Sequence, residues 1–179
     1  FKKKIIENNK VINFVSVARL VKWKGFEELL EILGNDNRFK LDIIGQGPEF
    51  NYLNSIKTKY SLKNINLLGK KNAKEVSDAL IRSDVFILNS YYEGLSHVLI
   101  EASMHYLPII ARNSGGNPEV VTHNVNGYVY NNLQELAIYI NKICDFKIRK
   151  ELSLNSRKIY NAKFNSEFTY EKYISMLKK

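Results

Sequence analysis

Two carboxylates, Glu93 and Glu101, stand with seven residues between them in the stretch Tyr91-Tyr92-Glu93-Gly94-Leu95-Ser96-His97-Val98-Leu99-Ile100-Glu101-Ala102. Well upstream, Arg19 and Lys24 bracket Leu20-Val21-Lys22-Trp23. Two cations at the end of a strand can neutralise a diphosphate and stabilise it as it leaves. Glu101 has apolar neighbours in Val98, Leu99, Ile100 and Ala102. The ordinary reading is a helix-surface carboxylate, but burial among these neighbours is costly without a partner, which favours a carboxylate with a function or one paired with a lysine. The two glutamates do not read as the acid and nucleophile of a glycosidase. Nor do they make a metal site: His97 and Glu101 lie four apart on a helix, but Glu93 falls outside it and no further histidine joins them. The ordinary alternative for Arg19, Lys22 and Lys24 is solvated surface charge.

The apolar run 84–88 reads as a buried strand leading into this stretch. Gly94 is expected to permit a turn that most side chains resist. Ser96 suits an N-cap, its hydroxyl accepting from a free amide of the first turn. A helix over 97–106 follows, stopped before Pro108. Glu93 then sits in a strand-to-helix loop and Glu101 one turn inside the helix. Elsewhere strands are expected at 11–18, 40–44, 64–68, 85–88, 108–111 and 127–130. Helices are expected at 25–33 and from Pro48, suited to a first turn, to about 60. Asn72 and Glu75 form a capping pair for a helix through 82. A short helix begins near 117, and past Asn131 the pattern is wholly helical, over 133–144, 148–160 and 167–177. Strands apolar on both faces alternating with helices predict an α/β fold. It is Rossmann-like and three-layered, with a mostly parallel sheet of about six strands, helices on both faces and additional carboxyl-terminal helices. In such a sheet ligands bind at the carboxyl ends of the strands, where helix-start amides favour phosphate.

The 179 residues, 45% hydrophobic and 25% charged, suit one domain over 1–179. No apolar run approaches the ~20 residues that span a bilayer, and Phe1 followed by three lysines is no signal peptide. The opening at Phe1 rather than Met suggests either a piece of a longer chain or a processed start. One cysteine, Cys144, allows no internal disulfide and fits a reducing compartment. The net charge of +9 has several readings: an anionic membrane surface, an anionic substrate such as a nucleotide diphosphate, or plain solvated lysines. Nucleic acid is disfavoured, because no binding signature appears and aromatics do not alternate with basics on one face.

The double glutamate in Ser90-Tyr-Tyr-Glu-Gly-Leu and Leu-Ile-Glu-Ala resembles the motif of retaining glycosyltransferases built from two Rossmann-like domains, the GT-B architecture. Among these it is most similar to the large family that holds bacterial polysaccharide and glycolipid transferases. The likeness runs from Val11 to Tyr173, in the order of cationic loop, two glycine turns and paired glutamates. It implies the carboxyl-terminal, donor-binding domain of an enzyme that transfers a sugar from a nucleotide diphosphate to a hydroxyl, with anomeric configuration kept. UDP-sugar is favoured over GDP-sugar, and no metal or other cofactor is obligatory. By the resemblance Arg19, Lys24 and Glu93 serve catalysis, the two cations on the diphosphate and Glu93 facing the donor sugar. Gly47 (in Gly45-Gln46-Gly47-Pro48), Lys70, Gly94, Leu95, Ser96 and Glu101 would contact the donor, Glu101 through the ribose hydroxyls. Lys71 has the same standing as Lys70. Lys22 is expected to face solvent and Trp23 to pack or stay exposed beside the loop. His97 would cap the turn, His105 and His123 would be structural or exposed, and Gly115-Gly116 would form a structural turn. The acceptor glycan or glycolipid would bind an amino-terminal domain outside these residues, with a final helix over 166–179 crossing back to it. The cytoplasm is the expected location, with peripheral association at the inner membrane face compatible with the charge. Two other functions remain open: a nucleotide-sugar epimerase of the same architecture, and a non-catalytic basic module on an anionic surface.

Overall fold

In the computed structural model, which describes Asn8 and residues 11–165, all strand pairings within one six-stranded sheet are parallel. The strands are β1 (Ile12–Val17), β2 (Phe39–Ile44), β3 (Ile65–Leu67), β4 (Val85–Leu88), β5 (Ile109–Arg112) and β6 (Gly127–Tyr130). The helices are α1 (Phe26–Leu33), α2 (Phe50–Lys59), α3 (Ala73–Arg82), α4 (His97–Met104), α5 (Asn117–Val120), α6 (Leu133–Lys142) and α7 (Phe146–Ile159). A 3-10 turn, Lys22–Lys24, precedes α1, and a π-helical segment, Tyr160–Phe164, continues α7.

Side chains alternate across the strands and so build two cores. Phe14, Val85, Ile87 and Ile110 face one layer, with Phe26, Leu29, Leu30 and Leu33 of α1, Leu53 of α2 and Leu136 and Ile140 of α6. Val15, Phe86, Leu88, Ile109 and Ala111 face the other, with Ala79 and Leu80 of α3, Leu99 and Ala102 of α4 and Val120 of α5. Each large side chain so buried contributes about 1.5–3 kcal/mol from removal of apolar surface. That double burial is why β4 reads as an unbroken apolar run, whereas β2, nearer the sheet edge, opens by alternating apolar with polar residues.

The strand order is β3-β2-β1-β4-β5-β6. The chain winds outward from β1 in one direction, then restarts at β4 and winds the other way. β1 and β4 are therefore the pair between which the order reverses, the place where doubly wound sheets open a crevice. Their pairing is short: Phe14 opposes Val85 and Val15 opposes Phe86, and the registered pairing stops there. Ser16 and Val17 of β1 continue along β2 instead, while Ile87 and Leu88 of β4 continue along β5. The two central strands thus part company toward their carboxyl ends.

Most expected elements are present within two residues of the expected ends. Asn72 caps α3 in a full capping box with Glu75. Three details differ. Pro48 lies in a turn ahead of α2, whose first residue is Phe50, because the Phe50 amide closes back on the Gly47 carbonyl at 3.1 Å. Ser96 occupies the N-cap position of α4 but its hydroxyl makes no capping hydrogen bond. α4 ends at Met104, its exit fixed by α7: Ser156 donates to the Leu107 carbonyl at 2.6 Å and Arg157 to the Met104 carbonyl at 2.6 Å. The expected crossover helix over 166–179 lies outside the described residues.

Candidate active site

The loop after β1 and the loop after β4 meet over the crevice. Lys24 ends the 3-10 turn, whose following residue, Gly25, takes a left-handed conformation. The Lys24 ammonium donates to Oε1 of Glu93, and both side chains are largely shielded, 15% and 12% exposed. The backbones agree with the side chains: the Tyr91 amide donates to the Trp23 carbonyl at 2.8 Å. Two of the candidate residues therefore touch. Arg19 lies on the same loop as Lys24, is exposed, and has no side-chain hydrogen bond or ion pair among the described residues. Lys22 and Trp23 are exposed, as expected for residues beside the loop.

Glu101 lies half-buried on the second turn of α4. Among the described residues nothing hydrogen-bonds or ion-pairs its carboxylate. Burial without a partner holds its carboxyl above the ordinary glutamate value. This is an under-satisfied acceptor on the helix that begins at the crevice.

Glycine matters here for the protein's own packing. A Cβ on Gly47 would come within 2.2 Å of the Leu20 carbonyl oxygen. The β1 and β2 loops interlock there, Leu20 donating to Gln46 at 3.0 Å and Glu49 to Leu20 at 3.1 Å. Gly115 is left-handed and a Cβ on it would overlap the Glu93 carbonyl oxygen at 1.7 Å. The loop after β5 therefore supports the loop carrying Glu93, and the Ser114 hydroxyl donates to the Tyr91 carbonyl at 2.8 Å. Gly94 behaves otherwise than expected. Its φ is not positive, it is exposed, and a Cβ there would meet nothing within 4 Å. The turn does not demand a glycine; the residue leaves open space beside Glu93 and the start of α4. Leu95 is exposed and Ser96 buried next to it.

Lys70 is exposed after β3, two strands removed from the crevice in the sheet order. Lys71 pairs with Glu75 at 2.9 Å on the first turn of α3. His97 is exposed, His105 is buried beside the Ser77 hydroxyl at 3.1 Å, and His123 accepts from the Val129 amide at 3.1 Å. Among the described residues no three His, Cys, Asp or Glu side chains group as metal ligands.

One cluster went unread in the sequence. Under the Glu93 loop, Asn89 Oδ1 accepts from Arg112 Nε at 3.1 Å and Nη2 at 2.9 Å, and from the Tyr130 hydroxyl at 2.5 Å. Glu28 of α1 accepts from Arg112 at 3.1 Å, from Asn89 and from the Tyr91 hydroxyl. Burial pushes the Tyr130 phenol well above its ordinary value. The signal available in the sequence was slight: an Asn directly after an apolar strand and an Arg ending another.

These features define an α/β domain of the doubly wound kind. The family described as glycosyl transferases group 1 matches residues 1–163, and the chain belongs to that family. An uncharacterized glycosyltransferase of Methanocaldococcus jannaschii is 28% identical over 99% of this chain and 50% of its own length. The capsular polysaccharide biosynthesis glycosyltransferase CapM of Staphylococcus aureus is 27% identical over 97% of this chain and 47% of its own. The chain thus spans about half the length of these curated relatives. Among solved structures, a variant of S. aureus TarM in complex with fondaparinux, α-GlcNAc-glycerol and UDP superposes with a TM-score of 0.83 at 22% identity, over 98% of this chain and 37% of that one. Anabaena HepE in complex with UDP-glucose gives 0.80 at 22% identity, over 94% and 49%. The fold is that of one Rossmann-like domain of the GT-B glycosyltransferases.

Proposed function

We propose that this chain is the donor-binding half of a retaining glycosyltransferase that uses a UDP-sugar. The observation that carries the reading is the meeting of Lys24 with Glu93 over the β1/β4 crevice, with Arg19 open on the same loop. A diphosphate placed there would take charge-assisted hydrogen bonds from Arg19 and Lys24. When the bond from the anomeric carbon to the diphosphate oxygen breaks, its electron pair leaves with UDP, and the two cations stabilise that charge. Glu93 faces the sugar from the same loop; the acceptor oxygen bonds the anomeric carbon on the face the diphosphate leaves and gives its proton to the departing phosphate oxygen, so configuration is kept. Glu101, desolvated and without a partner among the described residues, takes the ribose hydroxyls. Gly94, Leu95 and Ser96 offer backbone amides to phosphate and sugar where no side chain crowds the turn at Gly94.

The choice of UDP is supported by the UDP and UDP-glucose named with TarM and HepE. The acceptor, a growing glycan or glycolipid, would be held by the remainder of a longer protein, in keeping with relatives about twice this length. Work at the cytoplasmic membrane face fits the charge of +9; among the described residues no helix is long and apolar enough to cross a bilayer. Calorimetric titration of the chain with UDP, GDP and ADP tests the reading. UDP should bind most tightly of the three; silence toward all of them at millimolar concentration contradicts it.

A further inference from the structure

Tyr91 is 44% exposed, yet every polar group it has is engaged. Its amide donates to the Trp23 carbonyl at 2.8 Å, its carbonyl accepts from the Ser114 hydroxyl at 2.8 Å, and its phenol donates to Glu28. The Arg112 guanidinium lies 3.9 Å from the ring centroid, covering one face. Arg112 is itself fixed by Asn89 and Glu28. The hydrogen bond to the Glu28 carboxylate also holds the Tyr91 phenol above its ordinary value. The next residue, Tyr92, is 76% exposed and has no side-chain hydrogen bond among the described residues. One tyrosine is therefore immobilised at the surface while its neighbour is not.

Freezing an exposed side chain costs rotamer entropy that burial does not return. The expense is useful where a ligand meets the ring, because a ring already in place loses no freedom on binding. Tyr91 stands two residues before Glu93, on the loop that meets Lys24. One ring face is backed by a cation, and 44% of the residue's surface stays open to solvent. A flat, fixed, amphipathic ring beside groups that bind hydroxyls suits the C–H face of a pyranose.

We propose that Tyr91 is a sugar-stacking platform, held by Arg112, Glu28 and Asn89, that takes the apolar face of a pyranose at the mouth of the donor crevice. The proposal rests on the donor-site reading above. The pyranose belongs either to the donor or to the acceptor glycan, and the two sources separate by experiment. The chain and its variants Tyr91→Leu, Tyr91→Phe and the paired Arg112→Met/Glu28→Gln are titrated with UDP, with UDP-N-acetylglucosamine and with chitotriose, a neutral oligosaccharide. Thermal melting of each variant separates loss of binding from loss of fold.

With a donor sugar on the ring, Tyr91→Leu leaves UDP affinity unchanged and weakens UDP-N-acetylglucosamine by about three- to tenfold, the range of one aromatic contact. Tyr91→Phe keeps most of the affinity, because the ring remains. The paired variant, which removes both charges together, loses affinity for the sugar nucleotide while UDP binding holds. With an acceptor sugar on the ring, both nucleotide titrations are unchanged and the loss appears with chitotriose. An equal loss for UDP and the sugar nucleotide overturns the proposal, since the ring would then contact the nucleotide. So does a Tyr91→Leu variant that alters no titration. Failure of the unsubstituted chain to bind UDP overturns the donor-site reading alone; the platform then stands on chitotriose binding lost in Tyr91→Leu, and falls without it.

Discussion

Lys24 and Glu93, 69 residues apart in sequence, form an ion pair over the crevice between β1 and β4. The contact ties the loop proposed for the diphosphate to the loop proposed for the sugar. It also means that a phosphate must share Lys24 with Glu93 or draw it away. In the proposed donor pose the carboxylate competes for the cation before the donor arrives and neighbours the sugar afterwards.

Substitution at the two ends should act in opposite directions on UDP. Lys24→Ala removes a charged donor and should weaken UDP by roughly ten- to a hundredfold, the range expected of a hydrogen bond from a charged group. Glu93→Gln frees the lysine and should leave UDP binding equal or tighter, while sugar transfer by the full-length enzyme falls. Calorimetry with UDP and a transfer assay on the longer protein check the pair.

Gly115 and Gly94 should respond differently to alanine. Gly115→Ala strains a left-handed residue and drives Cβ into the Glu93 carbonyl oxygen, so it should lower stability by about 1–3 kcal/mol and displace the Glu93 loop. Gly94→Ala meets no protein atom within 4 Å, so melting should be unchanged. A fall in UDP-sugar affinity for Gly94→Ala would place the ligand in that open space. Denaturant unfolding and titration separate the two effects.

Glu101 sets a pH dependence whose sign follows from burial. Its folded carboxyl lies above the ordinary glutamate value, 4.5 in the unfolded chain, so the folded state holds the proton more tightly than the unfolded state. Its contribution to stability therefore falls as pH rises from 4.5 through the raised folded value and is level above it. Glu101→Gln should abolish that slope and melt higher than the unsubstituted chain at neutral pH, yet bind UDP and UDP-sugars more weakly. A variant that unfolds instead would show the carboxylate to be structural. Melting curves from pH 4 to 8 decide it.

How far the sequence could be read depended on which interactions are local. The central strand β4 was legible because it is buried on both faces, giving the apolar run 84–88 bounded by turn residues. The α3 start was legible because Asn72 and Glu75 cap each other within four residues. The strand order was not, since nothing near β1 states that β4 rather than β3 lies beside it. The same limit hid the cluster of Glu28, Asn89, Arg112 and Tyr130, whose members come from α1, β5, β6 and the loop after β4. Arg19, Lys24, Glu93 and Glu101 were singled out by the family resemblance of the segments that carry them, but the contact between Lys24 and Glu93 exists only once the sheet brings their loops together. The Gly94 reading erred because glycine was assigned to backbone need, whereas that need lies at Gly115 beneath it.

A crystal structure of this chain grown with UDP tests the central claim most directly. The account predicts the diphosphate in the β1/β4 crevice, with Arg19 and Lys24 on its oxygens and the ribose hydroxyls on Glu101. UDP seated elsewhere, for example in the open groove between α1 and α2 lined by Tyr52 and Tyr60, with the crevice cations untouched, would contradict it.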